Sequence, residues 1–162
     1  MKEIKLDKPK KTINGITFQL CSFKIINGHD DSIPFSGNLY ANGIKIGEAL
    51  NDGWGSDAEF YRTNAKRNQK FVDEIEAMLK ETPIWPDDNL LHDVKYTFGK
   101  LCDILAYDME EYNIFKKMKK KNPNNIIFVD EYHIKYISVQ PTDDLNDLIS
   151  SYKEKGYKYY IK

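Results

Sequence analysis

Cysteine, arginine and histidine are all scarce in this chain of 162 residues: there are two of the first, two of the second and three of the third. The cysteines, Cys21 and Cys102, form no Cys-x-x-Cys pair and have no histidine at ligand spacing, which excludes zinc fingers and thioredoxin-like redox motifs. Each lies in an apolar run and reads as a reduced core thiol. With only Arg62 and Arg67, sequence-specific reading of DNA is disfavoured, because bidentate contact to base edges favours the guanidinium, while weak nonspecific contact stays open. A dominant sign of charge is also missing. Lys and Arg number 24 against 25 Asp and Glu, so no global field draws nucleic acid or an anionic membrane. No apolar run approaches the roughly 18 residues of a membrane span, and "MKEIKLDKPKK" lacks the apolar core of a signal peptide. The expected location is the cytoplasm. Gly-x-Ser-x-Gly, Walker-type Gly-Lys-Ser/Thr and Gly-x-Gly-x-x-Gly are likewise absent.

What is present is a polar chain with many aromatics. Eleven Tyr, eight Phe and two Trp make up 13%, and a tyrosine packs its ring while its hydroxyl stays wet, which suits small cores and interfaces alike. At 41% apolar, the length suits one domain with its own core. Five lysines crowd residues 1–12, so a flexible leader is expected there, with one α+β domain over 13–162.

"GITFQLCSFKII" alternates and is rich in β-branched and aromatic residues, predicting a strand over 16–26. In "NLYANGIKIGEAL", Asn42-Gly43 joins two alternating arms at 37–41 and 44–50, since both residues accept the positive φ of a hairpin turn. "AEFYR" makes a fourth short strand. Phe71, Val72, Ile75, Met78 and Leu79 then share one helical face. Two prolines in "ETPIWPDD" end that helix, and Asp87 or Asp88 is expected to cap a long second one carrying Leu91, Val94, Phe98, Leu101, Leu105, Met109, Tyr112, Phe115 and Met118. It ends in "KKMKKKNP", where lysines suit the carbonyl end of the helix. "NNIIFVDEYHIKYISV" reads as a second hairpin, "TDDLNDLISSYKEKG" as a helix capped by Thr142 or Asp143 and stopped at Gly156, and "YKYYIK" as an edge strand or tail. The expected fold is α+β: an antiparallel sheet of about five to six strands with helices on one face.

Candidate chemistry is sparse. His29-Asp30 and His92-Asp93 each supply the adjacent pair of a metal-dependent hydrolase, but three histidines are too few for its remaining ligands. Asp30, Asp31, Asp52, Asp57 and Glu59 offer oxygen ligands without the spacing of a calcium loop, and read as solvated turns. A Cys21 or Cys102 nucleophile is disfavoured by apolar neighbours, which raise a thiol's pKa. Neither a metal nor a cofactor is therefore expected. Lys116, Lys117 and Lys120, with Lys119 and Lys121, form a cationic helix end that could touch phosphates together with Arg62, Lys66 and Arg67. Trp85, between Pro83 and Pro86, suits a lid on the core. Trp54, between Gly53 and Gly55 and flanked by Asp52 and Asp57, has no periodic element to bury it and matches an interface anchor.

"LYANGIKIGEALNDGWGSDAEF" resembles, over residues 35–62, a loose group of small phage and prophage proteins that share an Asn-Gly-x-Lys-x-Gly hairpin, an "NDGWGG" turn and a following helix. Ser56 stands where that pattern has another Gly. The resemblance supplies no catalytic residues. It implies a non-enzymatic accessory protein of a phage or mobile element, working in the host cytoplasm, that binds and inhibits a host protein such as a defence component. The alternative is a nucleotide-binding or nucleotide-sequestering protein, with the lysine cluster on phosphates and an aromatic ring on the base.

Overall fold

The structure, a computed structural model, describes residues 1–162. The α+β class holds: the chain forms three α-helices and two sheets. The strands, however, do not gather into one sheet. They fall into two compact units, Pro9–Met109 and Met1–Lys8 with Glu110–Lys162.

In the first unit β2 (Lys11–Ile13), β3 (Ile16–Ile25), β4 (Phe35–Ala41), β5 (Ile44–Asn51) and β6 (Glu59–Arg62) form an antiparallel meander in chain order. Asn42 and Gly43, at φ 48° and 79°, make the expected two-residue hairpin turn. β4 buries every second residue, Phe35, Gly37, Leu39 and Ala41, as a strand with one face on a core must. The helix α1 (Gln69–Glu81) buries Val72, Ile75 and Leu79 along a single stripe. A 3-10 turn at Lys66–Asn68 leads into it.

The second helix begins later than expected. Residues 84–94 form a loop whose base is closed by an extended ladder: Pro83 bridges Lys95, the Ile84 N–H reaches the Val94 carbonyl and the Tyr96 N–H reaches the Thr82 carbonyl. Asp88 spends its carboxylate on the N–H groups of Leu90 and Leu91, making a local turn instead of a helix cap. Leu91 and Val94 are thus off the helix, and Trp85 is exposed rather than a lid. Thr97 takes the capping role by accepting from the Lys100 N–H at 3.1 Å, and α2 runs Phe98–Lys121.

In the second unit β1 (Lys2–Glu3), β7 (Ile126–Asp130), β8 (Tyr136–Val139) and β9 (Tyr157–Ile161) make a sheet of order β1-β9-β7-β8. The second hairpin therefore seeds its own sheet. Successive residues of β7 point to opposite faces and both faces are covered. Ile127 and Val129 pack with Phe115 of α2, while Ile126 and Phe128 pack with Leu148 of α3 (Leu145–Glu154). Helices thus flank this sheet on two sides rather than one, and each buried β7 side chain contributes about 1.5–3 kcal/mol. Asp144 caps α3 through the N–H groups of Asn146 and Asp147, one or two residues beyond the expected cap. The "YKYYI" segment is an interior strand, because the supposed leader pairs with it in parallel. Residues 1–12 are not bare: they also supply β2, which pairs with β3.

Candidate functional site

Strand β5 ends on Asn51, a buried polar side chain at 3% exposure, and the site grows from it. Its amide nitrogen donates to the Ser56 carbonyl at 3.1 Å and to Oδ1 of Asp103 at 2.9 Å. Its oxygen accepts from Ser32 Oγ at 3.0 Å and from the Gly53 N–H at 2.8 Å. All four hydrogen-bonding positions of the amide are filled, as burial requires. Ser32 Oγ in turn accepts from the Gly55 N–H, the Ser32 N–H reaches the Gly53 carbonyl, and the His29 N–H reaches the Asp52 carbonyl. Two loops, 27–34 and 52–58, are thereby laced together over one side chain.

Glycine is required where they cross. Gly53 sits at φ 86°, and a Cβ there would collide with the His29 carbonyl; a Cβ on Gly28 would meet the Asp52 carbonyl. Gly55 also has positive φ, 87°, but a Cβ there would meet Asp31 only at ordinary van der Waals distance. The turn thus lifts Trp54 out at 60% exposure, with the indole stacked on the His29 imidazole at 29° between ring planes. The Trp54 main-chain N–H donates to the Asp52 carboxylate at 3.2 Å. Asp31 lies beside Gly55, and Asp57 faces Lys100 at 3.6 Å. Trp54, Asp52 and Asp57 are therefore brought to one tip.

Asp103, on α2, also accepts from the Ala58 N–H at 2.9 Å and so fixes the far end of the loop. Burial holds its carboxyl above the ordinary value and the nearby Asp57 charge adds to this, while the hydrogen bonds from Ala58 and Asn51 oppose it. Gly99 lets α2 approach, since a Cβ would strike the Ala58 carbonyl.

The remaining sequence candidates lie elsewhere. Arg62 is spent on Asp73 at 2.5 Å, and Arg67 sits in the 3-10 turn. Lys116, Lys117 and Lys120 belong to the part of α2 in the other unit; there Lys116 lies over the Tyr112 ring and Lys119 donates to the Asn125 carbonyl at 2.7 Å. Cys102 is fully buried, which pushes its thiol far up, and Cys21 is half-buried. His92 meets only its neighbour Asp93, at 3.4 Å, and no group of three or more His, Cys, Asp and Glu is placed to hold a metal ion. No helix is long and apolar enough to cross a membrane.

Sequence reasoning misses Asn51, Asp103 and the His29 stack. A signal for one of them exists: Asp103 is a charge set in sequence among the apolar Leu101, Cys102 and Leu105 that α2 buries. Comparison with protein-family models, curated proteins and solved structures finds no match to this chain.

Proposed function

We propose that this is a non-catalytic accessory protein of the phage type, which binds and inhibits a host protein through the tip carrying Trp54. The single observation that supports this reading is an exposed indole on a rigid mount. A tryptophan left in water normally costs affinity nowhere and stability little, but here Asn51, Ser32, Gly53 and Gly28 are all committed to holding the loop that presents it. Preorganised aromatic anchors carry a large share of protein–protein binding energy, because little conformational freedom remains to be lost on docking. Asp52, bonded to the Trp54 main chain, and Asp31, beside Gly55, give the loop an acidic character and favour a partner surface rimmed by lysine or arginine.

The test is affinity capture from a host lysate with wild type and with Trp54→Ala. A partner is expected with wild type and is expected to bind about 30-fold more weakly to the variant, the scale of a hot-spot residue. Circular dichroism of Trp54→Ala checks that the fold survives. Recovery of no partner, or of one indifferent to Trp54, rejects the reading.

A further inference from the structure

We propose that the open edge of the second sheet is a self-pairing surface, on which β8 of one copy adds antiparallel to β8 of a second copy about a two-fold axis. β8 ends the strand order, so one of its sides has no neighbour. The Asp130 N–H donates to the Lys135 carbonyl at 3.0 Å, which makes that couple a hydrogen-bonded pair. By the alternation of antiparallel ladders, Phe128/Ile137 and Ile126/Val139 are hydrogen-bonded pairs too. The main-chain groups of Tyr136 and Ser138 therefore point away from β7, toward the open side.

Exposed edges are normally guarded by charge or extreme shortness. The other three edges obey this: β1 is the dipeptide Lys2–Glu3, β2 opens with Lys11, and β6 carries Glu59 and Arg62. β8 alone, Tyr-Ile-Ser-Val, has no charge. Instead the hairpin displays Tyr132 at 76% exposure and Ile134 at 74%, with Tyr136 and Ile137 also exposed.

The strand is its own complement. With Ile137 on the axis, Tyr136 stands opposite Ser138 of the second copy and each such couple exchanges two main-chain hydrogen bonds. The two Ile137 side chains meet as a non-hydrogen-bonded pair, the closer of the two pair types. Lys135 falls opposite Val139, so no like charges oppose. Pairing consumes the edge on both copies, and the charged β1 edges resist further addition, so the assembly closes at two.

Sedimentation equilibrium of the full chain over a concentration series tests this. The mass is expected to rise from 18.9 kDa toward twice that value. Ser138→Pro deletes an N–H that serves only the open edge and leaves the ladder to β7 intact, so dissociation is expected to become about tenfold easier or more. Ser138→Ala, which keeps that N–H and loses only the hydrogen bond from Asn125 Nδ2, is expected to dimerise like wild type. Should Ser138→Pro fail to fold, Ile137→Lys sets two cations against each other on the axis and is expected to give monomers. A chain that stays monomeric at every concentration overturns the proposal, as does a dimer that survives both Ser138→Pro and Ile137→Lys. Trp54→Ala is expected to leave the dimer unchanged, which separates this surface from the Trp54 tip.

Discussion

Gly53 and Gly55 flank the same tryptophan and share nearly the same φ, yet their surroundings differ. Alanine at 55 meets only the cost of a left-handed backbone, about 1–2 kcal/mol. Alanine at 53 adds a collision with the main chain of His29, which cannot swing aside like a side chain, so a loss of about 3 kcal/mol or more is expected. Urea unfolding of the two variants gives this ranking directly, and equal losses would contradict the crossing of the loops. Asp103 makes a second residue-scale prediction. Its carboxyl is raised in the folded chain, chiefly by burial, so between the unfolded and folded values the native state binds more protons than the unfolded one. The contribution of this group to stability therefore falls as pH rises from about 4 through the folded value. Asp103→Asn does not titrate, and wild type is expected to lose stability relative to it across that window. A relative gain of wild type with rising pH would contradict the stated sign.

At the scale of elements, α2 shows tertiary contact overruling local preference. Gly99 lies in its first turn, where alanine would improve helix propensity by about 1 kcal/mol. The helix nevertheless needs glycine there to lie against the Ala58 carbonyl beside the Asp103 anchor. Gly99→Ala is expected to destabilise by about 1–3 kcal/mol, the cost of overpacking against backbone. Thermal or urea unfolding measures it, and a stabilised variant would show that α2 does not need this approach. The loop before α2 teaches a related lesson. Leu90 is 89% exposed although its spacing to neighbouring apolar residues suits a helix, because the ladder through Pro83 and Lys95 holds the chain extended on both sides of it.

On the whole-molecule scale the chain's first residues close a sheet begun by its last. Ile4 and Leu6 pack against the cluster of Phe115, Ile127, Val129 and Ile161, and the Ile4 N–H donates to the Tyr160 carbonyl at 2.9 Å. Glu3 receives the Tyr160 hydroxyl and pairs with Lys162. Deleting residues 1–8 is therefore expected to speed amide exchange in β9 by at least about tenfold while leaving β3, β4 and β5 unchanged. Hydrogen exchange with mass spectrometry reads both regions in one experiment. Uniform acceleration across the chain would mean that the two units unfold as one.

Periodicity and turn chemistry by themselves determined the α+β class, the meander around Asn42-Gly43, the stripe of α1, the second hairpin and the Gly156 stop of α3. Each of these depends on residues close together in the chain, whose side-chain period or backbone freedom acts locally. The exposure of Trp54 was half legible, since two flanking glycines announce a turn but not what mounts it. Only the tertiary structure decided that Asn51 holds that turn, because its partners Ser32 and Asp103 stand 19 and 52 residues away in sequence. The same holds for the division of strands between two sheets. β1 and β9 pair across nearly the full length of the chain, and nothing in "MKE" or "YKYYI" encodes a partner until packing on α2 and α3 selects one.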